Sequence, residues 1–186
     1  MVGLVHNLND VTSMEFKNEG DFIVSIGSIN STLGGSEYLK TIHGIIKGPL
    51  QNIDMNIERK VQQVCLEAIQ LNIINSAHDI SDGGLAVNIA ESIIASKGNL
   101  GASLDLSRKL EDVELLFGEC PSVIIVSISK DKLYDLVVLS KKYDVHTQTI
   151  GKVTSDSSLK INSLIDVKKK KIQNAYFYSL EKIMSK

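Results

Sequence analysis

Two rhythms of apolar residues alternate along the chain. Leu85, Ala86, Ile89, Ala90, Ile93 and Ile94 repeat at the spacing of one helix face, as do Ile53, Ile57, Val61, Val64, Ala68 and Ile69. The pattern therefore predicts a helix beginning after Gly84 and a longer one over 53–70. Further helices are predicted over 130–143, with Leu133, Leu136, Val137 and Ser140 on one face, and over 111–117. A shorter one follows Leu33-Gly34-Gly35 and carries Leu39, Ile42 and His43, and an amphipathic C-terminal one carries Ile172, Ala175, Tyr176, Ser179, Leu180 and Ile183. Continuous or alternating apolar runs predict strands over 11–16, 21–26, 76–80, 101–106, 122–129, 145–153 and 158–161. The β-branched run 122–129 is expected at the centre of the sheet. Asn18-Glu19-Gly20 is expected to close the first two strands into a hairpin, with a second hairpin near 155–158, and Gly48-Pro49 breaks the chain before 53–70.

Strands and helices interleave throughout, without an internal repeat. The expected fold is α/β of the α+β type, a mixed sheet flanked by helices in one domain over 1–186. The one low-complexity run, Lys168 to Lys171, reads as a solvated helix face.

A chain of 186 residues is long enough to bury roughly 70% of the surface its unfolded form exposes, so no disulfide or metal staple is needed. A formal net charge of −2 provides no field to steer nucleic acid or an anionic membrane toward it. Cys65 falls on the apolar stripe of 53–70 and Cys120 sits between Glu119 and Pro121, with no CxxC or Cys/His ligand spacing, so both are expected as reduced thiols. With no apolar leader in the first thirty residues and no run of eighteen apolar residues, the expectation is a cytoplasmic protein without a membrane partner.

Chemistry concentrates in His78-Asp79-Ile80-Ser81-Asp82-Gly83-Gly84-Leu85, where a strand passes through a Gly-Gly turn into a helix. Unpaired N–H groups and the helix dipole make such a place suitable for phosphate, and Asp79 with Asp82 suits Mg²⁺. The other reading stays open: Ser81 or Asp82 caps the helix, the glycines supply turn angles, and His78 is a hydrogen-bonded core residue. Leu33-Gly34-Gly35-Ser36-Glu37-Tyr38 repeats the theme, with Ser36 as its expected cap. Neither loop has the spacing or the Lys-Ser/Thr of a P-loop, which argues against a self-contained ATPase.

Taken in order, Leu33-Gly34-Gly35-Ser36-Glu37-Tyr38, Ala77-His78-Asp79-Ile80-Ser81-Asp82-Gly83-Gly84-Leu85-Ala86-Val87 and Leu116-Phe117-Gly118-Glu119 resemble the C-terminal domains of the aminoimidazole ribonucleotide synthetase superfamily. Ile150-Gly151-Lys152-Val153 adds to the likeness, which is greatest to the last domain of the phosphoribosylformylglycinamidine synthase family. The chain departs from the pattern at Cys120-Pro121-Ser122, where related domains often carry Ser-Gln and a basic residue that can meet a substrate.

The resemblance implies one part of an ATP-dependent C–N ligase of purine biosynthesis, which uses Mg²⁺, ATP and ammonia from a glutaminase. The main catalytic groups of that family belong to other domains, so the chain, whose first residues from Met1 resemble an internal junction, is expected to be a fragment without turnover, in a possible dimer. Candidate phosphate contacts are Gly34, Gly35, Ser36, Ser81, Gly83 and Gly84, and candidate metal ligands are Asp79, Asp82 and Glu119. Two alternatives stand beside this reading: a non-catalytic scaffold that docks another domain, and the equivalent domain of a selenophosphate, thiamine phosphate or hydrogenase-maturation enzyme.

Overall fold

Alternation of apolar residues in Phe22–Ile26 places Ile23 on one side of a sheet and Val24 and Ile26 on the other, each buried in a different cluster. The computed structural model, which describes residues 4, 5, 7, 8, 11–107 and 110–185, builds both layers around this strand, β1. Met1, read above as part of a junction, lies outside the described residues.

The remaining elements, in chain order, are α1 (Glu37–His43), α2 (Met55–Gln70), β2 (Ser76–Asp79), α3 (Gly84–Ala95), β3 (Gly101–Leu104) and α4 (Asp112–Phe117). They continue with β4 (Ile124–Ile128), α5 (Leu133–Lys142), β5 (Thr147–Thr154), β6 (Ser158–Ile161), β7 (Ile165–Lys168), α6 (Lys169–Phe177) and α7 (Ser179–Met184). The strands form one seven-stranded mixed sheet in the order β2-β4-β1-β5-β3-β6-β7, with β3 and β6 parallel and the other neighbours antiparallel.

Helices α3 and α4 cover one face through Leu85, Ile89, Ile93, Leu115 and Leu116, against Ile125, Ile150, Leu104 and Leu159. On the other face Val61, Val64 and Ala68 of α2 and Leu136 and Leu139 of α5 pack on Val24, Ile26, Val126 and Ile128. That second layer reaches only the β4–β1 half of the sheet, and Gln148, Thr149 and Lys152 of β5 stay exposed beside it. No helix among the described residues is long and apolar enough to cross a membrane.

Several expectations are corrected. Residues 11–16 form no strand, because both edges of β1 are occupied by β4 and β5; the segment instead crosses the outer edge of β2, where Ala77 N–H donates to Ser13 O at 3.2 Å, and buries Phe16. The centre of the sheet is β5, not the more apolar β4, which has α2 and α5 on one side and the α3 layer on the other. No hairpin joins β5 to β6: β3 lies between them, its approach allowed by Gly101, where a Cβ would stand 2.3 Å from Ser158 O. The hairpin there is β6–β7, turning through Asn162 at φ +48°. Finally, Lys169 in the basic run is buried, with Nζ donating to Ser96 O at 2.7 Å and Gly98 O at 3.1 Å; burial lowers its pKa.

Candidate functional site

The two glycine loops meet, and a carboxylate joins them. Thr32 and Glu119 exchange backbone hydrogen bonds, 3.2 Å from Thr32 N–H and 3.0 Å from Glu119 N–H, which sets the end of α4 beside the first loop. Glu119 Oε1 then accepts from Glu37 N–H at 2.8 Å, at the start of α1, and from Gly83 N–H at 3.1 Å, at the start of α3. One oxygen thus takes the place at two helix starts that an anionic ligand favours.

The other glycine donors also have partners within the chain. Gly34 N–H reaches Thr32 Oγ1 at 3.3 Å, Gly35 N–H donates to Lys47 O at 2.9 Å, and Gly84 N–H donates to Ser81 O at 3.1 Å. Ser36 is the expected cap: fully buried, it accepts from Leu39 N–H at 3.4 Å and donates through its hydroxyl to Leu33 O at 2.7 Å. Ser81 and Asp82 do not cap α3, because Gly83 occupies that position in the left-handed region at φ +81°.

Steric demands explain the glycines. A Cβ on Gly34 would stand 1.9 Å from Pro49 O, and one on Gly84, at φ +75°, would meet Gly118 O at 2.6 Å and Phe117 C at 2.7 Å. Backbone approaches backbone in both places, which only glycine permits.

His78 is half-buried with Nε2 2.9 Å from Glu91 Oε2, while its Nδ1 lies 3.7 Å from Asp79 Oδ1. Asn88 closes the end of β2 by donating to Asp79 O at 2.7 Å. The carboxylates of Asp79 and Asp82 belong to exposed residues, with the Asp79 side chain 72% accessible. Among the described residues no three His, Cys, Asp or Glu side chains form a metal-holding group, so Asp79, Asp82 and Glu119 are not assembled into one centre.

Both cysteines are buried free thiols; burial pushes Cys65 up to about 11 and raises Cys120, whose Sγ accepts from Asn30 N–H at 3.4 Å.

Sequence reading missed two features. Ser122, at φ +59°, donates to Glu58 Oε2 at 2.6 Å, joining the Cys120-Pro121-Ser122 turn to α2. A hollow of about 290 Å³ beside that turn is lined by Ser28, Asn30, Gln51, Lys60 and His146. These positions lie far apart in sequence and share no motif, so no local pattern marks them.

With this arrangement in place, residues 18–163 match the family described as AIR synthase related protein, C-terminal domain, and the chain belongs to that family. The phosphoribosylformylglycinamidine synthase subunit PurL of Thermoanaerobacter sp. (strain X514) is 38% identical over 153 residues, covering 82% of this chain and 21% of the relative. The same-named subunit of Alkaliphilus metalliredigens (strain QYMF) is 35% identical over 169 residues, 90% of this chain and 23% of its own. The chain thus spans about a fifth of the length of these relatives. In three dimensions it resembles T. maritima PurL complexed with FGAR, with a TM-score of 0.75 at 18% identity over 89% of this chain and 30% of that one. A HypE–HypF complex chain follows at 0.59 and 15%, over 84% and 53% of the two chains. These likenesses establish the shared fold.

Proposed function

We propose that the chain is the terminal domain of a phosphoribosylformylglycinamidine synthase, contributing to the ATP-dependent conversion of formylglycinamide ribonucleotide to formylglycinamidine ribonucleotide. The observation that carries the proposal is 38% identity to a PurL subunit over 82% of this chain. The HypE–HypF complex chain and thiamine-monophosphate kinase, at 15% and 17% identity, share the fold alone, with TM-scores of 0.59 and 0.50.

T. maritima PurL has been solved with FGAR and with ATP, and a PurLQS assembly is also known. By extension, the parent enzyme of this chain uses ATP and Mg²⁺ and receives ammonia from a glutaminase partner, in the cytoplasm.

Within that enzyme the domain acts as a framework. The donors of Gly34, Gly35, Gly83 and Gly84, together with Ser36, are engaged by Thr32, Lys47, Glu119, Ser81 and Leu33, which favours a structural role for the loops. Asp79 and Asp82, next to Ser81, keep exposed carboxylates that can face a Mg-nucleotide held by a neighbouring domain. Among the described residues no three His, Cys, Asp or Glu side chains come together to hold a metal, so no step of phosphoryl transfer is assigned to this chain alone.

The test is ADP release by the complete reading frame with formylglycinamide ribonucleotide, Mg-ATP and ammonium, beside the same frame truncated before Met1. Substrate-dependent turnover that is lost on truncation is expected; a full frame inert toward that substrate overturns the assignment. Titrating Mg-ADP into the complete enzyme with Asp79→Asn or Asp82→Asn then tests the two acids, with a raised Kd for Mg-ADP expected only if they face the nucleotide.

A further inference from the structure

The Gly34-Gly35 turn does more than start a helix. Gly35 N–H holds Lys47 O, Pro49 O rests where a Gly34 side chain would be, and Gly48 at φ +100° lies against Gly34, so the following loop is fixed on the glycines. Much of what this segment presents outward is aliphatic, beside exposed His43, Lys47, Asn52 and Asp54. Ile42, Ile45, Ile46, Leu50, Ile53 and Met55 are all exposed, Ile46, Leu50 and Met55 by 73%, 78% and 71%. A patch of this kind, held in place by hydrogen bonds and close packing, marks a surface built to be covered.

We infer that residues 42–55 form a docking ledge, covered in the parent enzyme by another domain of the same polypeptide. This rests on the proposed membership in a synthase. Two observations select that occupant over a second copy of the chain. PurL relatives carry the matching region in polypeptides of which it is only about a fifth, so most of such an enzyme lies outside this chain. Exposed apolar side chains also recur in two other segments, Leu4, Val5 and Leu8 near the start and Leu180, Ile183 and Met184 in α7, whereas a two-fold dimer needs one self-complementary patch. A neighbour with an aliphatic face fits the ledge, whose outward side chains offer few charges.

Carbene footprinting of the complete enzyme and of this chain tests the inference. In the chain alone Ile46, Leu50 and Met55 should label freely, and in the complete enzyme their labelling should fall toward that of buried Ile23. Equal labelling in both overturns the ledge, as does protection in the isolated chain that rises with concentration, which would make the occupant a second copy. In the complete enzyme the triple substitution Ile46→Asp, Leu50→Asp, Met55→Asp should restore labelling at neighbouring Ile53 and leave labelling at Ile23 low. Unchanged protection of Ile53 in that variant counts against the ledge. Failure of the synthase assignment reads differently, as a protected ledge in an enzyme inert toward formylglycinamide ribonucleotide.

Discussion

Gly34-Gly35 and Gly83-Gly84 each stand just before a helix, yet they are held by opposite means. The first loop is closed locally: Ser36 caps α1, Thr32 takes Gly34 N–H, and the neighbouring 45–50 segment lies over the glycines. The second has no side-chain cap; its two glycines take left-handed angles in succession, and α4 holds it together with Glu119, thirty-six positions beyond Gly83. A double glycine before a helix therefore reports close backbone approach in both places, and the partner that approaches decides what the loop does. One presents a surface, and the other locks α3 to α4.

Substitution of the glycines separates these roles most strongly. Gly84→Val places a branched side chain at φ +75° against the backbone of Phe117 and Gly118, so overpacking and left-handed strain together should cost roughly 3–5 kcal/mol. Gly34→Ala meets Pro49 O and detaches the 45–50 segment from the glycines, which gives up one backbone hydrogen bond but little buried surface, so the cost should be roughly 1–3 kcal/mol. Urea unfolding of the two variants provides the comparison. A Gly34→Ala protein less stable than Gly84→Val would mean that the ledge, and not the α3–α4 lock, is the rigid element.

Glu119 belongs to both loops and gives the next largest effect. Its replacement by Ala removes a charged acceptor from two backbone N–H groups, a loss of about 2 kcal/mol, whereas Glu119→Gln retains a carbonyl oxygen and should recover about half of it. Thermal unfolding of the pair checks this. Equal losses from Ala and Gln would show that the charge of the carboxylate, more than its hydrogen bonds, couples the loops.

Sequence patterning exposed much of this and failed in recognisable ways. The helix stripes of α2, α3 and α5 were legible because each buries one face, and Ser36 was legible as a cap because capping is local. Position in the sheet was not. Strand β5 lies at the centre with Gln148, Thr149 and Lys152 exposed, since the α2–α5 layer stops at β1, and apolar content therefore ranked β4 above it. The segment 11–16 alternates like a strand but has no free edge of β1 to join. At the site, glycine and serine positions were readable, while the pairing of Glu119 with both loops depends on the Thr32–Glu119 bridge and leaves no local mark. Lys169 was lost within a run of lysines because only the carbonyls of Ser96 and Gly98, just past the end of α3, distinguish it.

Caps give a smaller contrast between the loops. Ser36→Ala should cost about 1 kcal/mol through loss of the α1 cap. Ser81→Ala and Asp82→Ala, which remove no cap, should each stay within about 0.5 kcal/mol of the parent. Differential scanning calorimetry resolves that difference. A large loss from Asp82→Ala would instead show that its carboxylate helps hold the second loop.

The smallest contrast is electrostatic and belongs to the first loop alone. At the start of α1 Lys40 Nζ lies 2.9 Å from Glu37 Oε2, a pairing that lowers the Glu37 pKa below its ordinary 4.5 and raises that of Lys40 above 10.5. A carboxylate whose pKa falls on folding stabilises the fold above its unfolded value and loses that contribution as pH drops through the folded one. A lysine whose pKa rises behaves in the opposite sense, losing its contribution above 10.5. The advantage of the parent over Glu37→Gln should therefore be flat between pH 4.5 and 10.5, shrink on either side, and diminish with added salt, since both groups are solvent-exposed. The difference in Tm between the two proteins, followed across pH, measures it. A difference that persisted in acid would show that the advantage of Glu37 over Gln does not come from its ionised carboxylate, since the backbone N–H bond from position 37 to Glu119 is common to both proteins.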